Sequence, residues 1–284
     1  RVALGVSNGQ IFVRTLSIPK MPESKLRLAL PELAVGLLPR AAEEFILDFY
    51  PIREVDSGGN VLIEGLLVAA EKQPVENLVA AVELAGLKVN SVDLVPFAVL
   101  RHFVSKEDPN TTFALVQVAG GVVTVIAAIG SVPLFIRVIP LTLQVESEPL
   151  RNLEEDETHG GVSDLAAVSI NEPNKKPVSA NKAVRTSQFL DSQASRRRLV
   201  REISDTIRYF NQAEPNLPIS LILLPGVTLN QEPFPADLAD ASGLELRPVL
   251  ESPVVYKKRG ASKLENGEIS DELVAAVALA TWVL

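Results

Sequence analysis

Gly120-Gly121 is the pair of residues in this chain whose type and setting best suit chemistry. It follows the apolar run Phe113-Ala-Leu-Val-Gln-Val-Ala, and a Gly-rich turn after a strand can cradle phosphate because no Cβ blocks its N–H groups. Phosphate chemistry also calls for a metal, and a hard metal calls for carboxylates. No Asp or Glu lies between Thr111 and Pro140, and Gln117, which precedes the turn, offers an amide without charge. An ordinary hairpin turn with positive φ explains the dipeptide more simply. Pro225-Gly226 closes a second apolar run, Leu221-Ile-Leu-Leu, and invites the same pair of readings: passage near an adenine, or a plain strand-to-loop turn.

The carboxylates give no sign of a catalytic pair, which must converge on one reacting atom. Glu43 and Glu44 precede a strand pattern, Asp48 lies within it, and Asp93 stands three residues before Pro96, where it suits a turn or helix cap. Arg14 and Arg137 sit inside apolar strands. Each either pairs with an acid such as Asp48 or Asp93 or contacts a ligand. Arg196-Arg197-Arg198 and Arg201 fall on the polar side of a helical pattern and read as a solvated face. His102 reads as half-buried. No Ser-His-Asp set, Walker loop, GxGxxG or metal-ligand spacing is present.

The elements that must position these residues alternate between strand and helix. Residues 2–7 and 10–18 read as a hairpin across Asn8-Gly9. Leu26, Leu30, Leu33 and Leu37 space a helix over 23–38, with Pro31 inside it. Strands over 45–52 and 61–70 look antiparallel. A helix starts at Pro74 and stops at Gly86, a strand covers 88–94 and a helix 96–104. Three strands then fill 112–140. Periodicity vanishes over 141–188, where eight acids, five bases and three prolines predict a mobile linker. Leu199, Ile203, Ile207 and Phe210 mark an amphipathic helix over 189–213. Strands over 219–224 and 244–250 flank a short helix at 236–241, and 271–284 reads as a closing helix capped by Ser270. The class is α/β with meanders, in two lobes.

Bulk properties exclude several functions. The 284 residues carry a net charge of -8 and no cysteine. Sequence-independent nucleic-acid binding needs a cationic face, so it is disfavoured, and disulfides, thiolate metal sites and cysteine nucleophiles are ruled out. His102 and His159 are too few for an ordinary zinc site. No signal-peptide pattern opens the chain, which begins on a strand pattern as though an earlier strand were missing. No apolar run reaches the roughly 20 residues of a membrane helix.

Ile11-Phe-Val-Arg-Thr-Leu-Ser-Ile-Pro-Lys-Met-Pro, then Glu44-Phe-Ile-Leu-Asp-Phe and Leu66-Leu-Val-Ala-Ala-Glu-Lys, resemble the PilM family in that order. So do Ala85-Gly-Leu-Lys-Val-Asn-Ser-Val-Asp-Leu-Val-Pro-Phe-Ala and Pro133-Leu-Phe-Ile-Arg-Val-Ile-Pro. These are actin-like, FtsA-related components of type IV pilus assembly. The resemblance covers residues 1–140 well and thins from 189 onward. It implies an actin-like (ribonuclease H-like) two-lobed fold with a small inserted subdomain. One lobe would take 1–18 and 51–140, the insert 19–50, the linker 141–188 and the second lobe 189–284.

Family members bind a short cytoplasmic N-terminal peptide of PilN, a bitopic inner-membrane protein. By resemblance Arg14, Pro19, Leu26, Leu30, Leu33, Phe45 and Leu47 lie near the peptide groove. An apolar groove with a few polar anchors suits an extended peptide. The nucleotide positions would be Gln117, Gly120, Gly121 and Gly226. Here the sequence departs from the family, which carries an Asp and a Gly where this chain has Gln117 and Ala119. A Gly-Gly stretch is replaced by Leu141-Thr-Leu, and the adenine-side turn shrinks to Pro225-Gly226-Val227. The expectation is a scaffold on the inner face of the cytoplasmic membrane with a degenerate nucleotide cleft and no required cofactor. Its expected partners are a PilN-like protein, other pilus platform proteins and, by self-association, a second copy of itself. Two alternatives are an ATP- and Mg²⁺-dependent assembly factor and an FtsA-like division anchor. The anchor would want a basic amphipathic C-terminus, and 271–284 contains no base.

Overall fold

The computed structural model describes residues 2–7, 11–103, 110–119, 121–141, 190, 192–226, 228–249 and 279. The expected linker and nearly all of the closing helix lie outside them. The described strands form three sheets, and β1 (Val2–Val6) and β2 (Ile11–Pro19) belong to different ones. Among the described residues β1 and β2 do not pair as the predicted hairpin would have them, and the Asn8-Gly9 turn lies outside those residues. Strand β1 runs parallel to β5 (Val89–Leu94), with Leu4 beside Val92, while β2 pairs antiparallel with β4 (Asn60–Glu71), from Ile11 beside Ala70 to Pro19 beside Leu62. The reason is burial. From Gly65 to Ala70 β4 is covered on both faces, and β2 gains a central, dry neighbour that β1 does not offer.

Helix α1 (Glu23–Leu33) lies on the sheet β2-β4-β3, where β3 spans Phe45–Ser57. The helix stops five residues short of the expected end. Ala34 caps it, its N–H reaching Leu30 O at 2.9 Å, and Gly36 turns the chain at φ 78. Ile18, Leu30, Ala34, Phe49 and Leu67 form the core between helix and sheet. The small subdomain thus draws on residues 11–19 and 51–71 as well as the expected 19–50.

Helix α2 (Lys72–Leu84) leads to β5, and helix α3 (Val95–Phe103) follows without a break. The stretch 112–140 forms the expected meander: β6 (Thr112–Ala119), β7 (Val122–Ile129) and β8 (Val132–Pro140). Its sheet continues through β6 to β9 (Leu221–Pro225) and β10 (Glu245–Val249), both parallel additions, in the order β10-β9-β6-β7-β8. These three strands therefore belong with the C-terminal half rather than with residues 51–103. Residues within one sheet share hydrogen bonds that the sequence boundary ignores.

One face of this sheet, with Ala114, Val116 and Val125, packs under α4 (Gln193–Ala213) and α5 (Phe234–Ser242). Leu199, Ile203, Ile207 and Phe210 bury as their spacing predicts. Ser192 caps α4, its hydroxyl accepting from Ser195 N–H at 3.4 Å. Arg196 does not lie on a solvated face: its Nε donates to Asp237 Oδ2 at 2.8 Å and clamps α4 to α5. The opposite face, with Phe113, Leu115 and Ile126, meets α3, β1 and the inner side of β2 and β4.

A cleft between two free strand edges

Among the described residues, β2 is an edge of the three-stranded sheet and β8 an edge of the five-stranded one. The two edges border a cavity of about 560 Å³. Residues 11–15 of β2 line it in unbroken succession, as do 135–138 of β8, with Leu66 and Tyr209 also contributing. A strand seen face-on would contribute every second residue. Unbroken succession means that the cleft is bordered edge-on, by backbone.

Arg14 and Arg137 both reach this cleft, one from each sheet. Arg14 Nη1 donates to Val13 O at 2.8 Å, and neither guanidinium has an ion pair among the described residues. The expected pairing with Asp48 or Asp93 does not occur. Asp93 is taken by Arg101, eight residues on in α3, and exposed Asp48 accepts from Phe49 N–H at 2.9 Å. In register, Arg14 sits beside Leu67 and Arg137 beside Val125, so no cross-strand acid is at hand. Phe135 and Tyr209, with ring centroids 5.7 Å apart, add an aromatic wall.

Of the seven residues expected at a peptide groove, Arg14 is the one that lines this cleft. Leu30 is core, 3% exposed, and Leu26, Leu33 and Leu47 pack against the same cluster. Phe45 is buried edge-on against Phe12 with the Arg40 guanidinium over its ring at 5.4 Å. Pro19 is exposed at the far end of β2. Helical spacing reads Leu26, Leu30 and Leu33 as one apolar face, and a face can close a core as well as a groove. Sequence reasoning singled out Arg137 with Arg14 but passed over Phe135 and Tyr209, which line the same cleft. An arginine in an edge strand with only apolar cross-strand neighbours is the signal that marks Arg137.

The expected nucleotide positions gather at another place, the C-terminal edge of the parallel strands β6 and β9. This is where open α/β sheets hold ligands. Gln117 is 2% exposed beside Thr124, and neither its Oε1 nor its Nε2 has a partner. Gly121 turns at φ 75, and Gly120 lies outside the described residues. Gly226 turns at φ 84, but its N–H donates to Val249 O at 3.2 Å and its carbonyl accepts Asn230 Nδ2 at 2.6 Å. No group of His, Asp or Glu able to hold a metal occurs among the described residues. His102, expected half-buried, is 7% exposed and meets Phe103 edge-on.

An ion cluster joins the three-stranded sheet to the end of α4. Arg53 Nη2 bonds Glu64 Oε1 at 2.9 Å and Glu214 Oε1 at 2.6 Å, joining β3 and β4 to the residue that ends α4. These carboxylates hold the Arg53 pKa above its ordinary value, the hydrogen bond from Glu214 contributing most.

Fold and cleft together define an actin-like α/β protein with an added three-stranded subdomain. Residues 1–138 match the family model of the type IV pilus assembly protein PilM. Across 99% of the chain the fold superposes on a solved chain of the PilM-PilN type IV pilus biogenesis complex, with TM-score 0.72 and 21% identity, covering 79% of that chain. Cell division protein FtsA of Bacillus subtilis (strain 168) is 28% identical over 147 residues, 49% of this chain. The chain spans 32% of that relative's length. A protein of actin-like ATPase fold from Bacteroides thetaiotaomicron overlaps 88% of the chain with 11% identity and TM-score 0.41, over 68% of its own length. No helix of the described residues is long and apolar enough to cross a membrane.

Proposed function

We propose that this chain is a non-catalytic scaffold of type IV pilus assembly that binds the cytoplasmic N-terminal tail of a PilN-like membrane protein. The tail docks in the cleft between β2 and β8, and the scaffold is thereby held at the inner face of the cytoplasmic membrane. The observation that carries this reading is a cleft bordered by two free strand edges, in a chain with the fold of a PilM subunit solved with PilN. Free edges pair with extended peptides through backbone hydrogen bonds.

On this reading the edge of β6 and β9 no longer serves nucleotide chemistry. Its residues do not fit Mg²⁺, because Gln117 brings no charge and the strands from 112 to 140 carry no carboxylate. The Gly226 N–H is spent within the fold on Val249. Calorimetry with the full chain and a synthetic tail peptide tests the proposal. Micromolar or tighter binding is expected; no heat of binding at high peptide concentration would overturn it.

A further inference from the structure

We propose that the cleft between β2 and β8 selects an extended segment that carries a carboxylate, bound along a free strand edge with the acid held by Arg14 and Arg137. The inference rests on the reading above that the cleft is a partner's site, and adds what that partner must present.

The argument begins with charge. The chain as a whole is acidic, and most described arginines have found acids: Arg27, Arg40, Arg53, Arg101, Arg196, Arg198, Arg208 and Arg247 all form ion pairs. Those without one are Arg197 and Arg201, on α4, and the two cleft residues. A lone arginine on a helix facing water needs no explanation. Two that line one cavity from separate sheets, each beside an apolar cross-strand neighbour, add like charge to one space. An opposite charge placed between them is attracted by both. A guanidinium offers a planar fork of donors that matches a carboxylate, and such charge-assisted bonds are the strong ones.

Backbone supplies the second half of the argument. The unbroken lining by 11–15 and 135–138 leaves N–H and C=O groups of both edges beside the cavity. An extended segment pairs with one of these edges, since β2 and β8 approach too closely for a strand to pair with both, and its side chains alternate between the two sides of the new strand. One side meets Phe135 and Tyr209, so an apolar residue next to the acid completes the match. The volume of about 560 Å³ is that of a site for a short segment rather than a folded domain.

The test uses the full chain and three fluorescein-labelled hexapeptides: Val-Glu-Ile-Glu-Val-Asn, its amide counterpart Val-Gln-Ile-Gln-Val-Asn, and the first with alternate backbone nitrogens methylated. Polarisation titrations should find the acidic peptide at least about tenfold tighter than the amide one. The methylated peptide should be weaker again, because edge pairing needs its N–H groups. Arg14→Ala and Arg137→Ala should each remove most of the acid preference while the melting temperature holds, since both side chains are exposed. Equal binding of acidic and amide peptides, or acid preference unchanged in both variants, would overturn the inference. A PilN-like tail that binds wild type and the double variant equally would overturn it while leaving the scaffold reading intact. Conversely, a tail that fails to bind while the acidic hexapeptide binds in an arginine-dependent way would support this site and reject the PilN-like partner.

Discussion

Arg53 Nη2 donates to Glu214 Oε1 at 2.6 Å, across 161 residues of sequence, and ties the three-stranded subdomain to the end of α4. The same guanidinium holds Glu64, the neighbour of Arg53 in the β3–β4 ladder. One side chain thus bridges the three-stranded sheet and the end of the helix that packs on the five-stranded one. Glu214→Ala is expected to cost about 1 kcal/mol, since the pair is partly solvated. In a chain of this size that corresponds to a loss of roughly 2–4 °C in Tm. Arg53→Ala should cost about as much, and the double variant little more, because both remove one cluster. Differential scanning calorimetry on the four proteins checks the cycle.

The pH dependence of this cluster follows from the sign of the shift. A base whose folded pKa is raised contributes stability that is fully present below its unfolded value and is lost as pH rises through the folded one. For Arg53 that window lies above the ordinary arginine value. The Tm difference between wild type and Arg53→Ala should therefore stay constant between about pH 6 and pH 9. A difference that fades across that range would mean that a neighbouring titrating group, rather than Arg53, controls the contact.

Leu30 separates a core from a groove. Buried at 3% exposure between α1 and β4, it should cost about 2–5 kcal/mol when cut to alanine. Leu28, two residues away and 84% exposed, should change stability by less than about 0.5 kcal/mol. Urea unfolding of the two variants measures the contrast. If Leu30→Ala left stability unchanged, α1 would be lying loosely on its sheet.

Gly65 marks where β3 crosses β4 closely. A Cβ there would run into the carbonyl oxygen of Tyr50 and the ring of Phe49. The register shift between Pro51 and Arg53 lies opposite. Backbone cannot yield as a flexible side chain can, so Gly65→Ala should destabilise by about 1–3 kcal/mol. The same urea unfolding measurement decides it.

Gln117 buries an amide whose two polar atoms find no partner. Leaving such groups unpaired costs about 1–3 kcal/mol, so Gln117→Leu, similar in shape, should hold or raise Tm. Millimolar Mg-ATP should shift neither protein. A shift in wild type that the variant loses would assign a nucleotide to the edge of β6 and β9, because a ligand of the native state raises its stability.

Much of this was legible in the chain itself. Apolar runs broken by two tight turns over 112–140 gave three strands, and the spacing of Leu199, Ile203, Ile207 and Phe210 gave a helix with its buried face, because helical periodicity records which side of the element is dry. The order of motifs from Ile11 to Pro140 carried the resemblance to PilM, and the match to that family's model covers residues 1–138. What stayed hidden was pairing. Asn8-Gly9 favoured a local hairpin, yet β1 took β5 and β2 took β4, where a strand buried on both faces was available. Equally, β6 joined β9 across about a hundred residues, and Arg14 and Arg137 came to line one cavity from separate sheets. Local pattern sets which residues form strands and which of their faces must be covered. Which edge meets which, and so where two unpaired arginines converge, is decided only when the layers pack, because backbone edges look alike in every strand and leave no mark in the sequence.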